Sequence, residues 1–164
     1  MIFIGLGANL SSRAGSPRET IRAALADLER AGLRVAGTAW IETAPVPVSD
    51  QPWFVNAVAA VETDLPPAAL LALLHRIEDA YGRTREVVNG ARTLDLDLLA
   101  YHDMVNPGPA APLLPHPRMA GRAFVLRPLA ELAPAWRHPA SGQAIGELLA
   151  ALDPGQETRP LADR

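Results

Sequence analysis

Two carboxylates separated by a single residue, Asp95 and Asp97, stand in the run Gly90-Ala91-Arg92-Thr93-Leu94-Asp95-Leu96-Asp97-Leu98-Leu99. On an extended backbone alternate side chains share a face, which sets the two anions roughly 6.5 to 7 Å apart with Leu94, Leu96 and Leu98 on the other side. Burying an unpaired carboxylate costs several kcal/mol, so each needs a partner: an arginine, a proton or a metal ion. The bland readings are salt bridges to Arg83, Arg85 or Arg92, or an edge strand whose aspartate face is solvated. Against them, Mg²⁺ takes one or two protein carboxylates and completes its shell with phosphate oxygens. The pair beside an arginine-flanked loop over residues 83–92 therefore has the parts to grip a polyphosphate, and phosphoryl transfer is the chemistry it could support.

Other polar residues stand out against their neighbours. His116 lies in Leu114-Pro115-His116-Pro117-Arg118, with a proline on each side and Arg122 close behind. A backbone held that rigidly suits a phosphate contact, although a lone histidine is more often a structural hydrogen bonder. Asn56 interrupts an apolar run and needs partners for its amide, which could read the edge of a heterocycle. Phe54 and Phe124 flank polar clusters in a chain that is only 5% aromatic, which admits a ligand platform beside the ordinary core role. His75 and Glu78 sit three apart in a helical pattern and read as one face turned away from its leucines.

The composition narrows the partners. At 164 residues, 49% hydrophobic and 20% charged, the chain has the size and mix of one domain, expected over residues 1–153 with a frayed tail over 154–164. A net charge of −3 offers no general attraction for nucleic acid or an anionic membrane. There is no cysteine, and every basic residue is arginine. A lysine-dependent phosphate loop is thereby excluded, so any nucleotide chemistry must use arginine and metal. With no basic leader before the apolar Ile2 to Leu6, a cytoplasmic protein is expected.

These residues need elements to position them. A short strand is expected over 2–7, followed by a turn at Gly7-Ala8-Asn9; Gly5-x-Gly7 reads as this turn, because Leu10 stands where a dinucleotide fingerprint needs its third glycine. Ser16-Pro17-Arg18-Glu19 is a capping box opening a helix with the stripe Ile21, Ala24, Leu25, Leu28, ending at Gly32. Strands follow over 33–43 and 54–62, separated by a loop with three prolines over 44–52. A helix from Pro66-Pro67 carries Leu70, Leu74, Ile77 and Tyr81, and the aspartate strand comes after the loop. Residues 107–117 hold five prolines and exclude a regular element. Residues 122–132 read as a strand passing into a short helix at Pro128, and 144–152 as a last helix. The order predicts an α+β, ferredoxin-like α/β sandwich: a mainly antiparallel sheet with helices on its faces.

Taken together, several motifs resemble 6-hydroxymethyl-7,8-dihydropterin pyrophosphokinase, a folate-pathway family. They are Gly5-Leu6-Gly7-Ala8-Asn9-Leu10, Thr43-Ala44-Pro45, Asp50-Gln51-Pro52-x-Phe54-x-Asn56, Arg76-Ile77-Glu78 with Gly82-Arg83, Gly90-x-Arg92-Thr93-Leu94-Asp95-Leu96-Asp97, and Pro115-His116-Pro117-Arg118-Met119 with Arg122-x-Phe124. The resemblance implies transfer of the β,γ-pyrophosphoryl group of ATP to the hydroxymethyl of the reduced pterin, releasing AMP. It implies two Mg²⁺ ions on Asp95 and Asp97, with Arg83 and Arg92 as phosphate contacts. The implied ATP site is His75, Glu78, Arg85, Leu98, His116 and Arg122. The implied pterin site is Thr43, Ala44, Pro45, Val46, Phe54, Asn56, Asp95 and Phe124. The partners are then two small molecules, with no nucleic acid or membrane, and a monomer is expected. The loop departs from the family pattern: Asn89 stands where a tryptophan commonly closes over the pterin, Glu86 takes a basic position, and His75 replaces a usual glutamine. A divergent paralogue that binds pterin or nucleotide with little turnover, or acts on a modified pterin, is the alternative.

Overall fold

The computed structural model describes residues 1–45, 49–82 and 93–161. Five strands, β1 (Ile2–Ala8), β2 (Arg34–Thr43), β3 (Phe54–Glu62), β4 (Asp95–Tyr101) and β5 (Thr158–Arg159), form one sheet in the order β4-β1-β3-β2-β5. All of its pairings are antiparallel. With α1 (Pro17–Arg30) and α2 (Pro67–Ala80) intervening, β1 to β4 make the split βαβ arrangement of a ferredoxin-like sandwich. Three further helical pieces follow: a 3-10 turn at Met119–Gly121, α3 (Ala123–Leu132) and α4 (Ile145–Ala150).

The pleat sorts the core into two layers. Ile2, Ile4 and Leu6 of β1, Ala57, Ala59 and Val61 of β3, and Leu96 and Leu98 of β4 pack under Ile21, Ala24 and Leu28 of α1 and Leu70, Leu74 and Ile77 of α2. The alternate residues Phe3, Val58, Ala60 and Leu99 meet Val125, Leu126 and Leu129 of α3 with Ile145 and Leu148 of α4. One face of the sheet is thus covered by α1 and α2, and part of the other by α3 and α4. Ser16 caps α1 reciprocally with Glu19, Oγ accepting from the Glu19 N–H at 3.2 Å and the Glu19 carboxylate from the Ser16 N–H at 3.0 Å. The α2 helix ends at Tyr81 and Gly82, whose φ of +77° is the left-handed stop that favours glycine.

Three sequence expectations are corrected. Gly7 and Ala8 belong to β1, and Gly5 and Gly7 lie within the strand, so no turn begins there. Residues 123–132 are helical throughout with Pro128 inside: burial of Val125, Leu126 and Leu129 against the sheet outweighs the lost Pro128 N–H and the β-branched and aromatic character that suggested a strand. The segment after Pro154 is not frayed over 158–159, because β5 pairs Thr158 with Thr43 and Arg159 with Glu42.

Candidate functional site

Three adjacent strands place the polar residues beyond the edge of the α3 layer. Register sets Asn56 opposite Gly7 and Gly7 opposite Asp95; in the next row inward Val58 faces Gly5 and Gly5 faces Asp97. The two glycines give β1 no side chains here, so a shallow cleft opens, lined by Gly5, Gly7, Asn56, Asp95, Asp97, Phe124 and Val125. A Cβ on Gly7 would lie 2.8 Å from Asn56 Oδ1, so the asparagine occupies space that only glycine leaves. Asn56 is buried and donates from Nδ2 to Thr43 Oγ1 at 2.8 Å, which fixes its amide plane within the sheet. By the same alternation Phe54 projects to this face of β3, as Asn56 does. The glycine spacing at i and i+2, read as strand periodicity, is the signal that marks this floor.

Asp97 is the electrostatic centre. Its Oδ2 lies 3.6 Å from an Arg122 guanidinium nitrogen and its Oδ1 lies 3.8 Å from His116 Nε2. Both separations exceed hydrogen-bond range, so the carboxylate is flanked by cationic and donor groups without being capped by them. His116 is anchored through its backbone, its N–H donating to the Leu99 carbonyl at 2.8 Å. Its Nδ1 accepts from the Arg118 N–H at 3.1 Å, so the proton of the neutral ring sits on Nε2, toward Asp97. Burial pushes the imidazole below its ordinary pKa; Asp97 opposes that, while Arg122 and Arg118 reinforce it. Burial also lowers Arg122, again opposed by Asp97, but a guanidinium remains a cation at neutral pH. Arg122 also lies 5.3 Å from the ring centre of Phe124, two residues onward.

Glu78 corrects the expectation of an outward helix face. It is 2% exposed and accepts the Leu96 N–H at 2.7 Å. Leu96 belongs to β4, the edge strand, whose outer backbone groups have no strand partner among the described residues. Glu78 covers one of them and His116, at the Leu99 carbonyl, another. His75, one turn earlier, is exposed, and the described contacts do not join it to Asp97. Leu98 turns its side chain into the α1 and α2 core, so only its backbone could meet a ligand. Ala44 donates its N–H to Glu157, Pro45 is buried, and Thr43 is tied to Asn56. Arg83, Arg85, Arg92, Val46, Glu86 and Asn89 lie outside the described residues.

Sequence reasoning overlooked three parts of the surroundings. Buried Asn9 donates to Gln51 Oε1 at 3.2 Å and to the Pro52 carbonyl at 3.1 Å, tying the end of β1 to the chain entering Phe54. Arg159 stacks 3.8 Å from the centre of the Trp53 ring and pairs with Glu42 at 2.6 Å. Gln156 grips the start of α3. Asn9, Gln51 and Pro52 stand in two of the quoted motifs, but their bond, like the other two contacts, joins segments far apart in the chain.

A carboxylate pair lining one cleft, with an arginine and a histidine beside Asp97, on a ferredoxin-like α+β sandwich is the kind of equipment phosphate-handling proteins use. Comparison with known proteins is specific. The model of the family described as 7,8-dihydro-6-hydroxymethylpterin-pyrophosphokinase matches residues 3–134. A 2-amino-4-hydroxy-6-hydroxymethyldihydropteridine pyrophosphokinase of Pseudomonas aeruginosa is 43% identical over 156 residues, 92% of this chain and 90% of its own length. The protein of the same name in Methylorubrum extorquens is 39% identical over 93% of both chains. That of Bacillus subtilis is 43% identical over 79% of this chain and 76% of its own. The chain belongs to the 7,8-dihydro-6-hydroxymethylpterin-pyrophosphokinase family, and is a transferase.

Proposed function

We propose that this cleft transfers the pyrophosphoryl group of ATP to the hydroxymethyl oxygen of 6-hydroxymethyl-7,8-dihydropterin, releasing AMP for folate synthesis. The observation that carries the reading is Asp97, uncapped at 3.6 and 3.8 Å from Arg122 and His116 beside the glycine floor. The pterin hydroxyl attacks the β-phosphorus and gives up its proton to solvent, the bond from that phosphorus to the α,β-bridging oxygen breaks, and AMP leaves with its electron pair. Arg122 and the Nε2 proton of His116 hold the phosphates on one side. Asn56, Phe54 and Phe124 hold the heterocycle on the other, and the β4 edge offers the Leu98 backbone to the nucleotide.

The donor set fits Mg²⁺. Two carboxylates supply hard oxygen ligands, and no group of three or more His, Cys, Asp or Glu residues converges among the described residues. A two-carboxylate site is the kind that leaves coordination positions for phosphate oxygens, so a metal held by Asp95 and Asp97 would also bind the phosphates of ATP. Asp95 and Asp97 would hold two ions, which neutralise phosphate charge during the transfer. Orientation of the alcohol and electrostatic stabilisation then carry the rate, with no strong base required. No described helix is long and apolar enough to cross a membrane. Cytoplasmic location and a monomeric state complete the proposal.

The test is turnover of ATP with the reduced hydroxymethylpterin as magnesium is titrated, for the native chain and Asp97→Asn. AMP formation that requires both magnesium and pterin, and falls at least about a hundredfold in the variant, is expected for a lost charge at phosphoryl transfer. Full activity without a divalent cation, or an unaffected Asp97→Asn, overturns it.

A further inference from the structure

Arg122 occupies the N-cap position of α3, with φ −114° and ψ 112°. Helices favour Ser, Thr, Asp or Asn there, because a short side chain can accept one of the free N–H groups of the first turn. Arginine has no acceptor, and its side chain makes no capping bond. It is turned toward Asp97 instead. The missing cap comes from a residue far along the chain: Gln156 Oε1 accepts the Ala123 N–H at 2.9 Å. The same amide donates from Nε2 to the Gly121 carbonyl at 2.9 Å. One side chain therefore holds the backbone immediately before and immediately after Arg122.

Gln156 is itself fixed. The next residue, Glu157, accepts the Ala44 N–H at 3.1 Å; Thr158 and Arg159 pair with the end of β2, and Leu161 is 5% exposed. Residues 156–161 lie beyond residues 3–134, which the family model matches. We propose that Gln156 is a positioning residue for Arg122, holding its backbone so that the guanidinium faces Asp97 and the phosphates. The position that chemistry gives to arginine loses its helix cap, and the C-terminal strand returns one. The proposal rests on the reading of Arg122 as a phosphate ligand. The Gln156 amide suits the role because it carries a separate donor and acceptor, one for the backbone on each side of Arg122.

The test compares Gln156→Ala, Gln156→Glu, Arg122→Ala and the Gln156→Ala/Arg122→Ala double variant in the full chain, by kcat, by KM for MgATP and for the pterin, and by melting temperature. Loss of the clamp should raise KM for MgATP about three- to tenfold, and KM for the pterin less than about twofold. Gln156→Glu, which keeps the acceptor and loses the donor, should fall between. In the Arg122→Ala background the second substitution should leave KM for MgATP where it was. An equal further rise there, or a lower melting temperature with an unchanged KM for MgATP, overturns the proposal and leaves Gln156 a helix cap only. If Arg122→Ala itself leaves KM for MgATP unchanged, the reading of Arg122 falls and the proposal falls with it.

Discussion

Gly7→Ala is a one-methyl test of how the heterocycle is read. Gly7 has an ordinary extended backbone in central β1, paired on both sides, so alanine is not strained by its dihedrals and the strand cannot move aside. The added Cβ would meet Asn56 Oδ1 at 2.8 Å, where a carbon–oxygen contact needs about 3.3 Å. Asn56 must therefore retreat by roughly half an ångström or rotate, and its bond to Thr43 at 2.8 Å is the contact that gives. Weakening one buried hydrogen bond and displacing the amide proposed to read the pterin should cost about 1 to 2 kcal/mol, which corresponds to roughly a five- to thirtyfold rise in KM for the pterin. KM for MgATP should hardly change, since Asp97, His116 and Arg122 are untouched. Steady-state kinetics at saturating MgATP read the effect directly. A folded Gly7→Ala protein with native KM for the pterin would refute the argument that Asn56 reads the ring.

Ser16→Ala removes the acceptor half of the α1 capping box and should lower the melting temperature by about 2 to 4 °C with kcat unchanged, by calorimetry and the AMP assay. Gly146→Ala places a methyl in open space in α4 and should raise the melting temperature by about 1 to 3 °C; a lower value would mean the helix is not formed as described. His138 accepts the N–H groups of Ala140 and Ser141 at Nδ1, and burial holds its pKa below the ordinary 6.5. The unfolded chain then takes up the proton first, so this stabilisation is complete above about pH 6.5 and is lost as pH falls toward the lower folded value. Denaturant titrations from pH 8 to 5 should show a shallower acid loss in His138→Asn, which keeps a backbone acceptor without the titration; identical slopes would contradict it.

The parts that were legible in sequence carry local physics. The capping box, the proline-led α2, and the alternation that put Asp95 and Asp97 opposite the leucines depend on neighbours in the chain, and each is found in the structure. His116 and Arg122 converge on one of those aspartates, and Asn56 and Phe124 line the same cleft. What was not legible depends on distant partners. Glu78 looked like a solvated helix face because nothing local reveals that β4 is an edge strand needing its Leu96 N–H covered. Pro128 looked like a helix start because its cost is local and the α3 burial that outweighs it is not. Gly5 and Gly7 looked like a turn because glycine's freedom of dihedral is better known than its lack of volume; here the second property is the one in use. The tail looked frayed because Gln156 and β5 bind to segments that precede them by more than thirty residues.

The central claim is that a pyrophosphoryl group, and not a single phosphoryl group, moves from ATP to a pterin alcohol in this cleft. ATP labelled separately at the β- and γ-phosphorus, incubated with magnesium and 6-hydroxymethyl-7,8-dihydropterin, tests it directly. Both labels should appear in one pterin product, in equal amounts and matched by unlabelled AMP. Transfer of the γ-label alone with release of ADP, or AMP formed at the same rate without the pterin, would contradict the account.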